Sequence, residues 1–335
     1  MTRQTTTLRR RMTTLTAALL TMALLTAATG AYADQYDNAD TLVVAQDGTG
    51  QFTTITEAVG VCRAFMDYHK VILVHSGVYR EKLVIPQWLT NIEILGEDSA
   101  NTVIVYSDHA NIKTDSTHTL GTFRSYTVRV EGNDITFRNI TISNDAPRLG
   151  QAVALHTEGD RLVFVRCRIL GNQDTVYTGT AGTRLYFKDC YIEGTTDFIF
   201  GPSTAWFEGC TVHSKANSYV TAASTPKSIP YGYVFNHCTL TAAPDVTKVY
   251  LGRPWRDYGY TLFMNCTLGP HIRPEGWHPW QKEREATARY AEYNNSGEGA
   301  RTDNRASWTR QLAADEAATI TVGKVFSVNN AWTPE

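Results

Sequence analysis

The chain has 335 residues, enough for one large domain or two small ones. Its 31 Lys and Arg residues against 33 Asp and Glu residues give a formal net charge of −2 at pH 7. This balance excludes the strongly basic surface of a nucleic-acid-binding protein, so we expect no nucleic-acid partner.

The first element in the chain is a candidate targeting segment. Three arginines at 9–11 precede an apolar stretch over 15–28, and Ala-Tyr-Ala at 31–33 fits a cleavage site. This order predicts a secretory signal peptide over 1–33, a single domain over 34–335, and a secreted protein, extracellular or periplasmic. A membrane anchor is the alternative, but the apolar run is shorter than the roughly 20 residues that span a bilayer, so we expect no membrane partner.

The next element is a predicted helix over 54–66. Thr54 and Glu57 form a capping-box pattern at its start. Ile55, Val59 and Met66 follow helical spacing and give the segment one apolar face. We expect this helix to cover the N-terminal end of the repeats that follow.

A short pattern recurs along the middle of the chain: Phe, two residues, Cys, one residue, then an aliphatic residue. The copies are Phe164/Cys167/Ile169, Phe187/Cys190/Ile192, Phe207/Cys210/Val212, Phe235/Cys238/Leu240 and Phe263/Cys266/Leu268, with Phe137/Ile140/Ile142 and Leu89/Ile92/Ile94 as weaker ones. From Ile140 to Cys266 the intervals are 27, 23, 20, 28 and 28 residues. Units of this length cannot enclose a core alone, but stacked units bury their apolar positions together.

The repeat predicts an all-β fold, a parallel β-helix. Leucine-rich repeats share the period, but their helical side is missing, and propeller blades need roughly 40 or more residues. Right-handedness follows from the general preference of parallel crossovers. Beyond Trp280 the repeat is lost, so we predict that 283–335 forms loops and a short helix near Asp315, packed along the coils.

Five of the six cysteines occupy the repeat slot. Stacked coils lie about 4.8 Å apart, which is within the Cα separation of a disulfide, and export favours oxidation. A ladder of buried free thiols is the equally weighted alternative. Among possible disulfides, Cys190–Cys210 is favoured because that coil is the shortest.

Two aspartates share one position in successive repeats. Asp174 lies seven residues after Cys167, and Asp197 lies seven residues after Cys190, so we expect them to be stacked. Carboxylates this close acquire different pKa values, which suits one to be a nucleophile and the other a general acid. Gln151 precedes Asp174 by the same 23 residues, and Gln173 is adjacent. A solvated Asp ladder or a calcium site is the alternative.

Several ordered motifs resemble those of the pectin methylesterases, or pectinesterases, of carbohydrate esterase family 8. The matching segments are GVYRE at 77–81, QAVAL at 151–155, GNQDT at 171–175, DFIFG at 197–201, LGRPW at 251–255, HIRPEGW at 271–277 and YAEYNNSGEGA at 290–300. The resemblance covers nearly all of the chain after 33. It implies a right-handed parallel β-helix, in agreement with the repeat.

The resemblance also implies roles for individual residues. Asp197 would be the nucleophile and Asp174 the general acid and then base. The oxyanion would be held by Gln151 and Gln173, and Arg253 would pair with Asp197. Trp255 and Phe200 would bind the sugar.

The implied reaction is hydrolysis of the C6 methyl esters of homogalacturonan to pectate and methanol, through an aspartyl acyl-enzyme. No metal or organic cofactor is required, methyl-esterified pectin is the partner, and we expect a monomer. We interpret GVYRE as structural, and Trp277 and Trp280 as packing residues. The rival functions are a pectate lyase or polygalacturonase on the same fold, and a non-catalytic binding protein.

Overall fold

The computed structural model describes residues 36, 39–327 and 330–334. Within them the chain forms the predicted right-handed parallel β-helix, built from three parallel sheets, A, B and C. The predicted signal peptide at 1–33 lies outside the described residues. In the part of the chain that the structure describes, no helix is both long and apolar enough to cross a bilayer.

Each turn of the solenoid contributes one strand to each sheet over most of its length. Sheet A contains β1 (Thr41–Val44), β2 (Lys70–Val74), β5 (Thr90–Gly96), β8 (Asn133–Arg138), β11 (Leu162–Val165), β14 (Arg184–Lys188), β17 (Thr204–Glu208), β20 (Tyr233–Asn236), β23 (Tyr260–Met264), β25 (Arg289–Tyr293) and β26 (Arg310–Gln311). Sheet B contains β3 (Gly77–Arg80), β6 (Thr102–Tyr106), β9 (Thr141–Asn144), β12 (Arg168–Leu170), β15 (Tyr191–Gly194), β18 (Thr211–Ser214), β21 (Thr239–Ala242) and β24 (Thr267–Leu268). Sheet C contains β4 (Leu83–Ile85), β7 (Val128–Val130), β10 (Leu155–Thr157), β13 (Val176–Thr178), β16 (Ile199–Gly201), β19 (Tyr219–Ala223) and β22 (Tyr250–Gly252).

The repeated phenylalanines form a continuous stack inside the solenoid. From Phe137 to Phe263, successive rings have centroids 4.3–5.5 Å apart and planes within 13° of parallel. The strand register causes this stacking, since it places each phenylalanine opposite the next, as with Phe164 and Phe187. Burial of each ring contributes about 1.5–3 kcal/mol of transfer free energy, so the repeat supplies much of the core.

A left-handed residue turns the chain from sheet A into sheet B at the position before each slot residue. The φ values are 55° at Asn139, 50° at Arg166, 53° at Asp189, 53° at His237 and 55° at Asn265. Asn and Asp tolerate this conformation better than most residues, which explains their recurrence at the corner. The corner directs the slot residue inward and starts the next strand.

The cysteines form the thiol ladder and not the disulfide. All six are free, so the favoured Cys190–Cys210 pairing is wrong. Side chains in adjacent parallel strands are separated by about the 4.8 Å strand spacing, whereas a disulfide needs Cβ atoms about 3.5–4.5 Å apart. Each thiol donates instead to a carbonyl of the preceding coil, with 3.3 Å from Cys190 Sγ to Phe164 O and 3.6 Å from Cys210 Sγ to Phe187 O.

The predicted N-terminal cap is present as helix α1 (Ile55–Gly60), shorter than the segment 54–66. Thr54 and Glu57 form the capping box. The GVYRE motif completes it, since Glu81 accepts hydrogen bonds from the backbone N–H groups of Ile55 at 3.0 Å and Thr56 at 2.8 Å. This confirms a structural role for GVYRE.

The C-terminal segment is more regular than the sequence indicates. The repeat continues beyond Trp280, because β25 pairs in parallel with β23 and β26 with β25, which corrects the prediction of loops with one helix. Two helices follow, α2 (Ala314–Ala318) and α3 (Val322–Val325). Short 3₁₀ helices occur at Thr122–Arg124, Lys282–Ala286 and Glu298–Ala300. As predicted, the tail packs along the coils, with Val325 and Phe326 in one apolar cluster with the outer side of sheet A.

Candidate active site

One cavity of about 350 Å³ contains every site residue predicted from the sequence. It lies on the outer side of sheet C, where β13, β16 and β22 are stacked. The predicted residues in its lining are Gln151, Gln173, Asp174, Asp197, Phe200, Arg253 and Trp255. The structure therefore brings together residues that are up to 104 positions apart in the sequence.

Asp174 and Asp197 occupy adjacent coils in the same register. Val176 pairs with Ile199, an offset of 23 residues, and each aspartate lies two residues before this pair. Both have left-handed backbone, with φ of 66° at Asp174 and 48° at Asp197. Such residues are uncommon outside glycine and cluster at functional sites. The stacking predicted for the two acids is confirmed.

Arg253 holds Asp197 through two hydrogen bonds. Its Nε donates to Oδ1 at 2.9 Å and its Nη2 donates to Oδ2 at 2.6 Å. The guanidinium carbon also lies 3.8 Å from the ring centroid of Tyr219 and 3.8 Å from that of Trp280, between the two rings. A bidentate pair between aromatic faces fixes both the charge and the orientation of the carboxylate.

The two acids have different proton affinities. Burial and then the nearby charge of Asp197 raise the pKa of Asp174 well above its usual value, against smaller opposing effects of Arg253 and Gln173. Burial also raises the pKa of Asp197, but its hydrogen bonds and charge interaction with Arg253 oppose this. At equal protonation of the site, Asp174 therefore retains the proton and Asp197 carries the charge.

The two glutamines lie beside the acids, although one does not occupy the predicted register. Gln173 is adjacent to Asp174 and hydrogen-bonds to it. In β10 and β13, Leu155 pairs with Val176, an offset of 21 residues and not 23, so Gln151 is not aligned with Asp174. Gln151 nevertheless lines the cavity. Both side chains have amide N–H groups that can serve as donors to an oxyanion.

Aromatic rings form one wall of the cavity. Phe200 is 5.8 Å from Trp255 between ring centroids and 4.8 Å from Tyr177. Phe123, which is 46% exposed, extends this row from a loop at 4.8 Å from Tyr177. Exposed and half-buried rings of this kind can contact the apolar faces of a sugar.

Sequence reasoning missed part of this lining. Thr122, Phe123 and Ala222 also face the cavity, and so does Trp280, which we had predicted to be a packing residue. Trp277 does pack, since it is 2% exposed and its Nε1 donates to Glu292. The available signal for Trp280 was an aromatic residue in a Pro-containing turn close in sequence to Arg253.

Comparison with known proteins identifies the family. The sequence model of the pectinesterase family matches residues 41–329. The chain belongs to this family. Pectinesterases are carboxylic ester hydrolases, and Pectinesterase 31 from Arabidopsis thaliana is 37% identical over 281 residues, covering 82% of this chain and 88% of that protein.

Solved pectinesterase structures agree with the fold. A pectin methylesterase from carrot superposes with a TM-score of 0.79 at 34% identity, covering 87% of this chain and 93% of that one. A pectin methylesterase solved in complex with a hexasaccharide has a TM-score of 0.75 at 29% identity, with 89% and 98% coverage. Several curated pectinesterase relatives are longer, and the chain spans about half of their length.

The chemistry of this pectinesterase site rests on carboxylates, amides and a guanidinium. Within the described residues, no group of three or more His, Cys, Asp or Glu side chains is placed to hold a metal ion. The groups at the cavity can supply a nucleophile, a proton and oxyanion donors, which are the requirements of acyl transfer.

Proposed function

We propose that the protein is a secreted pectin methylesterase that hydrolyses the C6 methyl esters of homogalacturonan to pectate and methanol. The observation that carries this proposal is the pair of stacked acids, of which only Asp197 is held by the guanidinium of Arg253. This arrangement gives one carboxylate for attack and one carboxylic acid for proton donation. The predicted signal peptide supports export, and we propose that the monomer is the active form.

In the first half-reaction, an Oδ atom of Asp197 attacks the carbonyl carbon of the methyl ester. The negative charge moves to the former carbonyl oxygen, where Gln151 and Gln173 donate hydrogen bonds to it. The bond between the carbonyl carbon and the methoxy oxygen then breaks. Asp174 gives its proton to that oxygen, methanol leaves, and an anhydride links Asp197 to the galacturonate.

In the second half-reaction, ionised Asp174 removes a proton from water as the water attacks the galacturonate carbonyl carbon. The anhydride bond to Asp197 breaks and the carboxylate of Asp197 is restored. The products are a galacturonate carboxylate and a protonated Asp174, so the site returns to its starting state. Arg253 stabilises the carboxylate of Asp197 at the start and end of the cycle.

Methanol release from highly methyl-esterified pectin tests the proposal. We expect turnover by the wild-type protein and a loss of roughly 10⁴-fold or more in Asp197→Ala, as in other enzymes that lose their nucleophile. Circular dichroism and thermal unfolding of the variant serve as the folding control. Release of an unsaturated product without methanol would indicate a lyase. Full activity in a folded Asp197→Ala protein would refute the role of Asp197.

A further inference from the structure

The column of side chains that contains the two acids continues toward the C-terminal end of sheet C. Strand pairing places Tyr219 next to Asp197 and Tyr250 next to Tyr219. The bridge between Val249 and Ile272 places Arg273 next to Tyr250. Three strand spacings therefore separate Arg273 from Asp197, about 14 Å along the solenoid axis.

The residues between these two points form an aromatic track. The rings of Tyr219 and Tyr250 stack with centroids 5.3 Å apart and planes 12° from parallel. The guanidinium carbon of Arg273 lies 4.8 Å from the centroid of Tyr250. Both tyrosines are partly exposed, so a polymer bound at Asp197 can follow this track across their rings.

The track ends at a second cavity, of about 480 Å³, which we call the basic cavity. Its lining includes Lys248, Arg273 and Arg301, with Glu298 as the carboxylate among its lining residues. Glu275 pairs with Arg273 at 3.2 Å. Lys248 and Arg301 are exposed, and neither has a carboxylate partner within the described part of the chain. Two cations are therefore available to an anionic ligand.

The wall that carries Arg301 is firmly anchored. Arg305, which has a 5% exposed side chain, pairs with Glu292 at 2.8 Å and donates to the carbonyl of Gly299 at 2.6 Å. These bonds fix the segment before Arg301 against the last coils. The position of the cation is thus set before a ligand arrives, which lowers the entropy lost on binding.

We propose that the basic cavity is a second carbohydrate subsite, which binds free carboxylates of galacturonate units that are already de-esterified. This proposal rests on the proposed function, since the product of that reaction is a polymer with new carboxylates on the same chain. Arginine pairs with planar carboxylates in a bidentate manner, and a neutral methyl ester offers no charge to Lys248 or Arg301. The subsite therefore favours ester groups that lie several sugars from earlier reaction sites on the same polymer.

Kinetics on two pectins test the subsite. The double variant Lys248→Gln/Arg301→Gln is compared with Lys188→Gln/Arg166→Gln, which removes one exposed Lys and one exposed Arg from the corner between sheets A and B. On partially de-esterified pectin we expect KM to rise roughly fivefold in the first variant only, with kcat unchanged. On fully methyl-esterified pectin both variants should match wild type. Equal KM values for the two variants on partially de-esterified pectin would overturn the proposal.

Binding of a de-esterified oligogalacturonate separates this proposal from the proposed function. Calorimetric titration uses the Asp197→Ala protein with and without Lys248→Gln/Arg301→Gln, so that it requires no turnover. We expect roughly fivefold weaker binding with the double substitution, and a shallower dependence on salt. If wild type releases no methanol but this difference persists, the proposed function fails and the subsite stands. Equal binding by the two proteins refutes the subsite.

Discussion

Asp174 and Asp197 occupy the same slot of the repeat, but only one of them has an arginine partner. The backbone treats them alike, with a left-handed φ at each and a hydrogen bond from each N–H to the next coil. The difference arises from Arg253, which is 56 residues beyond Asp197 in sequence and bonds to both of its carboxylate oxygens. A repeated position has thus acquired two chemical roles through one side chain of a later coil.

Replacement of Arg253 by Ala should shift the acidic limb of the pH–rate profile. Attack requires ionised Asp197, so activity falls as the pH drops through the pKa of this carboxyl. Arg253 lowers that pKa, and its loss should move the acidic limb upward by about 1–3 pH units. The control is Arg256→Ala, which removes a neighbouring guanidinium that stacks on Trp255. An acidic limb at the wild-type position in Arg253→Ala would show that Arg253 does not set the ionisation of Asp197.

The repeat made the acid pair predictable, and residues outside the repeat were not. Asp174 and Asp197 follow their cysteines by the same number of residues, so stacking follows from the sequence. Phe123 lies in a 3₁₀ helix before β7, and Trp280 follows the last clear copy of the repeat. Their distance from the cavity depends on loop conformation, which local spacing does not determine.

At the scale of strands, the Phe and Cys positions determined the core, whereas the last strands lacked that signal. In β25, Tyr290 occupies the core with 1% exposure, but its segment has no Phe and no Cys. The same limit applies to the thiols. The sequence places cysteines on neighbouring coils, but the parallel direction of their Cα–Cβ bonds, which keeps the sulfur atoms from bonding, is a property of the folded sheet.

The thiol ladder predicts that oxidation does not contribute to stability. Unfolding in denaturant without reductant should expose six thiols to a colorimetric thiol reagent, because all six are free in the fold. The folded protein should react slowly, since the five slot cysteines are buried. Reductant should leave the thermal midpoint unchanged. A count of four in the denatured protein, or a midpoint that falls with reductant, would instead indicate a disulfide, and mass spectrometry of peptides identifies the cysteines concerned.

At the scale of the whole molecule, the C-terminal tail solves a problem that the coils create. The outer side of sheet A is apolar, with Tyr186, Trp206 and Leu262 in a single cluster. Residues Val325 and Phe326 of the tail complete this cluster. The tail covers sheet A, whereas the cavity lies on sheet C, so stability and catalysis depend on different faces of the solenoid.

Arg184 connects the tail to the coils, and its removal should separate stability from activity. Its buried side chain pairs with Asp160 at 2.5 Å and donates to the carbonyl of Phe326 at 3.1 Å. Arg184→Ala leaves Asp160 without this partner, so we expect the free energy of unfolding to fall by about 3–5 kcal/mol, with faster proteolysis of the tail and an unchanged KM. Although burial raises the pKa of Asp160, the bonds from Arg184 outweigh it and hold that pKa below its usual value. The stabilisation is therefore present above the pKa of the unfolded chain and is lost as the pH falls through the folded pKa, so the two proteins should converge in acid. Arg161→Ala is the matched control, because Arg161 also pairs with Asp160, at 3.0 Å, but is half-buried and should contribute only about 0–1 kcal/mol. Urea unfolding at neutral and acidic pH measures both variants, and an equal loss of stability in the two would show that Arg184 does not hold the tail.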